Sequence, residues 1–251
     1  MEDIGRGLPQ DPEEIHERYR ELDELKNAFI ALVSHELRTP VNLISGYLEL
    51  GLEELTEDAR EARNYFEKAD KSVQRLRRVV EELTDFANLQ RGKPITQSNP
   101  VRIGSAFQQT YQLLRPELEK KQIDLHVDIP KFIRETRYDG DSLFLLFRNI
   151  LSNAAKFSTV GSPVFVRGKQ FHDHLFIAFH DCADPIPVEK KDSIFEDFRQ
   201  LENYLTRRYE GMGLGLAVAR RTARLLGGDI SVKTRKDGNT FKIRLPLNTG
   251  M

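Results

Sequence analysis

Residues 25–50 read LKNAFIALVSHELRTPVNLISGYLEL. This run decides how the N-terminal third of the chain folds. From about residue 11, Ile15, Leu22, Phe29, Leu43 and Leu50 recur at multiples of seven, with Leu25 and Leu32 at the intermediate positions, which is the period of one long helix with a coiled-coil seam. The repeat lapses at Glu36 and Thr39, and Pro40 then removes a backbone donor and is expected to bend the helix. Packing alone does not select two polar residues for a seam.

Working outward, a polar connection around Thr56 to Ala59 leads to a second helix, in which Phe66, Ala69, Val73, Leu76, Val80, Leu83 and Ala87 follow spacings of three and four. Two such helices make a hairpin whose apolar stripe it cannot cover alone. A second copy completing a four-helix bundle is the economical solution, so a homodimer is expected; the alternative is a monomeric hairpin packed on the rest of the chain.

Beyond the hairpin, RGKPITQSNP (91–100) reads as a linker, and a second domain is expected from Pro94. The pattern predicts a helix over 102–119, strands over 123–129 and 135–139, a helix over 141–155, and two strands over 163–171 and 174–181. An irregular stretch reaches about Glu210. A Gly-rich turn then opens a helix, and strands over 229–235 and 240–247 close the chain as a hairpin around Lys236-Asp237-Gly238-Asn239. The order implies an α+β chain in which a helical hairpin precedes a two-layer α/β sandwich. The expected division is a coiled-coil or linker segment over 1–24, a dimerisation domain over 25–93 and a second domain over 94–251.

Composition narrows the function. The chain has 251 residues with 38 Lys and Arg against 39 Asp and Glu, so no global basic field exists to hold nucleic acid or an anionic membrane, and neither partner is expected. A single cysteine, Cys182, excludes an internal disulfide and a multi-cysteine zinc site. No stretch approaches a membrane span, and the acidic start MEDIGRGLPQDPEE has no signal-peptide character, so a cytoplasmic setting is expected.

His35 stands beside Glu36 on the first helix, on a solvent-facing edge. A neighbouring carboxylate can take the ring proton and make the other imidazole nitrogen a better nucleophile toward phosphorus. Thr39, one turn past Glu36, carries a hydroxyl that can hold a water near the same ring.

Phe29-Ile30-Ala31-Leu32-Val33-Ser34-His35-Glu36-Leu37-Arg38-Thr39-Pro40 resembles the phosphoacceptor box of the sensor histidine kinases of two-component signalling. That resemblance implies a following ATP-binding domain of the GHKL (Bergerat) type shared with gyrase, the Hsp90 chaperones and MutL. The stretch 141–157, DSLFLLFRNILSNAAKF, is similar to the family's asparagine box. Asn149 and Asn153 lie on one helix face, where the resemblance implies that they ligate a magnesium ion bridging the phosphates of ATP while Lys156 adds a cation. Gly211-Met212-Gly213-Leu214-Gly215-Leu216 resembles the second glycine box, in which Gly211, Gly213 and Gly215 let backbone amides approach phosphate. Asp181 matches the aspartate that accepts the adenine amino group, and Ile194-Phe195-Glu196-Asp197-Phe198-Arg199-Gln200 the phenylalanine box, followed by a lid over about 198–212 holding Arg207 and Arg208.

The first glycine box departs from the family, with Ala183 and Pro185 where it has glycines; a stiffer loop that crowds the adenine is expected. Cys182 reads as a small buried residue, His172-Asp173-His174 as a hairpin turn, and Arg75, Arg77 and Arg78 as a coat on the second helix. The resemblance implies an ATP-dependent kinase that phosphorylates its own His35 with Glu36 as base. It passes the phosphoryl group to an aspartate of a response regulator receiver domain, and dephosphorylates that regulator using Thr39. The alternative is a dimeric signalling scaffold or phosphatase-biased regulator with impaired ATP binding.

Overall fold

The computed structural model describes residues 12–90, 100–197 and 212–247. By contacts the chain separates into two compact units, one through Val79 and one from Val80.

The first unit is a hairpin of α1 (Pro12–Glu54) and α2 (Ala59–Gln90). Asp58 starts α2: its Oδ1 accepts from the backbone N of Arg60 at 2.8 Å and of Glu61 at 3.2 Å, satisfying donors that a helix start leaves open. α1 continues unbroken through Pro40. The expected single seam is split in two. The residues buried between the helices are Glu36, Pro40 and Gly51 on α1 and Ala62, Ala69, Ser72 and Val79 on α2, mostly small or polar. Gly51 belongs there because a Cβ on it would stand 2.5 Å from the ring of Phe66. The larger apolar residues, including the expected seam members Leu43 and Leu50 and also Ile30, Val41, Leu48, Leu52, Val73 and Val80, are exposed. Small residues let α1 and α2 approach closely, and the outward apolar line is left for another surface.

The second unit begins inside α2. The last turns of α2 belong to it through an ion pair of Asp85 with Arg148 and the Arg221 guanidinium 5.1 Å from the Phe86 ring centroid. Its elements are β1 (Pro100–Arg102), α3 (Ile103–Lys120), β2 (Asp124–Asp128), α4 (Lys131–Glu135), β3 (Arg137–Asp139), α5 (Gly140–Phe157), β4 (Pro163–Phe171), β5 (His174–Asp181), α6 (Gly215–Leu225), β6 (Asp229–Arg235) and β7 (Gly238–Pro246). Five strands form a sheet in the order β2-β4-β5-β7-β6, antiparallel except for the parallel pair β2 and β4.

One face of this sheet is apolar and carries α3, α5 and α6, giving the expected two-layer sandwich. Val164, Val166, Leu175, Ile177, Phe179, Ile230, Phe241, Ile243 and Leu245 alternate inward to meet Phe107, Phe147, Ile150 and Ala219. Phe107, Phe147 and Phe179 stack among themselves with centroids 5.9 to 6.3 Å apart. Two elements differ from the sequence expectation. Pro100–Arg102, expected to hold the end of a linker and the start of a helix, pairs antiparallel with β3, and the short α4 occupies the stretch between β2 and β3. Both are shorter than the window in which periodicity can register.

Candidate functional site

His35 is 61% exposed while the neighbouring Glu36 is 1% exposed. Adjacent helix positions differ by about 100° around the axis, so the histidine faces outward while the carboxylate points toward α2. The Glu36 oxygens divide their contacts: Oε1 lies 3.7 Å from His35 Nδ1, and Oε2 lies 3.5 Å from Nη2 of Arg75 on α2. The polar lapse in the heptad is thus filled by a buried carboxylate with a cation opposite it. Arg75, expected to coat the surface with Arg77 and Arg78, is a partner of this site; the signal that could have identified it is its place on the inward side of α2, near Ser72 and Val79. Thr39 donates its hydroxyl proton to the carbonyl of His35 at 3.1 Å, which leaves the Oγ1 lone pairs available to a water.

In the second unit, Asp181 ends β5 at 1% exposure. Its Oδ1 accepts from Ala183 N at 3.2 Å, Asn239 N at 3.3 Å and Asn239 Nδ2 at 3.4 Å. Burial pushes this carboxyl above the ordinary aspartate range, and the donors from Ala183 and Asn239 pull it back part of the way. Asn239 is the residue that the sequence reading left in a hairpin turn. It is 2% exposed, donates to Asp184 O at 3.0 Å and accepts from Ile186 N at 2.9 Å and Thr234 Oγ1 at 3.2 Å, so it ties the 181–186 loop to β6 and β7. Gly238 sits before it at φ +137°, where a Cβ would meet the carbonyl oxygen of Asp181 at 1.8 Å.

This clamp changes the meaning of Ala183 and Pro185. The two loop amides that the fold uses, Ala183 N and Ile186 N, are both present, and Pro185 is exposed, so its missing N–H falls where no bond is made. The loop is held by hydrogen bonds to Asp181 and Asn239. Cys182 contacts Pro163 O at 3.4 Å, and burial together with Asp181 raises its thiol pKa, consistent with an inert, packed residue.

Asn149 and Asn153 share one face of α5. Asn149 donates to Leu145 O at 2.8 Å, and its Oδ1 stands 3.2 Å from where a Cβ on Gly215 would be. The first turn of α6, which has no side-chain cap, therefore opens beside the amide oxygen of Asn149. Asn153 is half-buried and makes no side-chain hydrogen bond among the described residues. Lys156 has its ammonium 5.1 Å from the Phe157 ring centroid. Gly213 has φ +75°, a conformation suited to glycine. Gly211, Phe198, Arg207, Arg208 and most of the expected lid lie outside the described residues. Phe195 is a core anchor, 8% exposed, under the guanidinium of Arg220 at 5.1 Å.

Amide oxygens suit a hard cation such as magnesium, and no cluster of three His, Cys, Asp or Glu side chains that could hold a metal occurs among the described residues. A cation beside Asn149 and Asn153 would need phosphate and water to complete its shell. His172-Asp173-His174 forms the β4–β5 turn, with His172 at φ +50°.

Comparisons with known proteins match both parts of the chain. The His Kinase A (phospho-acceptor) domain family matches residues 25–92, and the histidine kinase-, DNA gyrase B- and HSP90-like ATPase family matches residues 138–249. The chain is 30% identical over 243 residues to hybrid signal transduction histidine kinase D of Dictyostelium discoideum and 31% identical over 241 residues to the signal transduction histidine-protein kinase BarA of Escherichia coli. These alignments cover 94% and 92% of this chain but 16% and 26% of the relatives, so the chain spans only about a sixth to a quarter of their length. The fold is that of the histidine kinase ThkA, crystallised in complex with the response regulator protein TrrA, at a TM-score of 0.67, 19% identity and coverage of 97% of this chain and 68% of that one. No described helix is long and apolar enough to cross a membrane. With a phosphoacceptor hairpin and an ATPase domain joined in one chain, the protein carries the domain pair of the histidine kinases of two-component signalling.

Proposed function

We propose that this chain is an ATP-dependent autophosphorylating protein histidine kinase. The observation that carries the reading is the pairing of an exposed His35 with a buried Glu36, in the same chain as a Bergerat-type domain in which Asn149 stands beside Gly215 at the start of α6 and Asp181 ends β5. Glu36 Oε1 accepts the proton from His35 Nδ1, and Nε2 attacks the γ-phosphorus of ATP. The bond to the bridging oxygen breaks and ADP leaves. Phosphoryl transfer needs positioning and charge neutralisation more than covalent help.

Asp181 presents its Oδ2 to the adenine amino group, since the three donors above all meet Oδ1. Gly211, Gly213 and Gly215 shape the turn whose amides receive phosphate. Asn149 and Asn153 hold magnesium, which supplies charge neutralisation on the phosphates, and Lys156 adds a cation. The functional division runs 1–24, 25–93 and 94–251, and the chain acts in the cytoplasm. The outward apolar line on α1 and α2 supports a homodimer. A response regulator receiver domain accepts the phosphoryl group on an aspartate, and a water held by Thr39 attacks it in the reverse role.

The test is incubation with γ-labelled ATP and magnesium of the native chain, His35→Ala and Asn153→Ala. Acid-labile, base-stable label on the native chain and on neither variant is expected. A folded native chain that takes no label, or a His35→Ala variant that keeps it, overturns the proposal.

A further inference from the structure

The near-neutral total charge conceals a local segregation on the sheet face opposite the helices. Along β4, β7 and β6 the outward positions include Arg167 and Lys169, Lys242 and Arg244, and Lys233 and Arg235, all six exposed. The register sets them side by side: Arg167 and Lys242 both flank Ala178 of β5, Lys169 and Arg244 both flank Phe176, and Lys233 lies against Thr240 of β7. Outward acids occur on the edge strand β2, at Asp124, which is paired with His126 at 2.9 Å, and at Asp128, which lies opposite Arg167 in the register. Asp229 at the start of β6 is turned to Arg220 and Arg224 of α6 at 3.1 and 3.4 Å. None of the six cations is in an ion pair among the described residues.

From sheet geometry, cations two residues apart are about 7 Å apart, β7 and β6 lie about 5 Å apart, and β4 lies about 10 Å from β7 across β5. This is a two-dimensional lattice roughly 15 Å wide. At its rim β4 ends in Phe171, which shares the outward side and is 60% exposed. The aromatic rings inside the lattice are occupied: Phe165 lies between His126 and His180, with centroids at 5.0 and 6.3 Å, and Lys169 sits 5.9 Å from the Phe176 centroid.

We propose that this face docks on an anionic lipid surface, with the cations over the headgroups and Phe171 entering the interface. A single-stranded nucleic acid would need free rings for base stacking and a line of cations along one strand, and here the rings are covered and the cations form a sheet. A two-dimensional array of cations with one exposed aromatic at its edge suits a negatively charged bilayer surface. Asp181 and Asn239 face the helix layer, so docking leaves the nucleotide end of the sheet open.

The experiment is co-sedimentation of the full chain with vesicles of phosphatidylcholine alone and of phosphatidylcholine with phosphatidylserine, at low and physiological salt. Binding only to the anionic vesicles, falling with salt, is expected. Lys242→Gln with Arg244→Gln should weaken it about 25-fold, at about fivefold per cation. Phe171→Ser should weaken it several-fold at every salt concentration. Unfolding temperature and binding of an ATP analogue serve as controls for folding and should not change. Equal binding to both vesicle types, unchanged binding by the double variant, or tighter binding to a thymidine oligonucleotide than to the anionic vesicles overturns the proposal.

Discussion

Truncating Asn239 to alanine tests the clamp that shapes the nucleotide end of the sheet. The side chain is 2% exposed and serves four partners: Asp184 O, Asp181 Oδ1, Ile186 N and Thr234 Oγ1. Asp184 is exposed, so water can replace the bond to its carbonyl, whereas the Ile186 N–H is left in a buried place without its acceptor. One orphaned buried donor costs about 1–3 kcal/mol, and the weakened contacts bring the expected loss to about 2–4 kcal/mol. For a unit of this size that lowers the unfolding temperature by roughly 4–16 °C. The same change removes one of the donors that offset the burial of Asp181, so its carboxyl rises further.

The sign of the pH effect follows from that rise. A carboxyl whose folded-state pKa lies above its unfolded value binds more protons in the fold, so between the two values stability increases as pH falls. In the proposed adenine-binding role the effect runs the other way, because a proton on Oδ2 turns the oxygen offered to the amino group into a donor and removes the negative charge. In native protein, nucleotide affinity should therefore decline on acidification before the ordinary aspartate range is reached, and in Asn239→Ala the decline should begin at higher pH. Calorimetric titration with an ATP analogue across pH, beside thermal unfolding of both proteins, measures both effects. An Asn239→Ala variant within about 0.5 kcal/mol of native stability, with the same acid limb of binding, would refute the clamp.

Three other perturbations follow from the geometry. Gly51→Ala drives a methyl into the Phe66 ring and should cost about 1–2 kcal/mol, seen as a lower unfolding temperature of the helical signal. Gly215→Ala places a Cβ 3.2 Å from Asn149 Oδ1 at the mouth of α6; nucleotide affinity should fall at least several-fold while the unfolding temperature stays within a few degrees of native. Glu36→Gln keeps the shape of the side chain and removes the proton acceptor, so the rate of label transfer to His35 should fall about 10²–10⁴-fold with ATP affinity unchanged. A rate within tenfold of native would remove Glu36 from the role of base.

How legible each feature was in the sequence depends on how local its cause is. β4 to β6 were read to the residue because their alternation runs over seven or more positions, and the two long helices α1 and α2 were legible, though not their ends, because their repeats run far longer. His35, Glu36, Asn149, Asn153 and Asp181 were legible because short motifs carry them. What the sequence alone could not supply is any relation across the fold. The heptad count placed Glu36 on the seam but not Arg75 opposite it, since that contact depends on how α2 is rotated against α1. It placed Leu43 in the buried seam, whereas the small residues Gly51, Ala62 and Ala69 won the inner face by allowing closer approach. Asn239 looked like turn punctuation because its four partners are spread over β5, the following loop and β6, and Pro185 looked damaging because only the folded loop shows which amides are used. The cations of the outer sheet face likewise sit at ordinary alternating positions in three separate strands; strand order, which backbone pairing decides, is what gathers them into one surface.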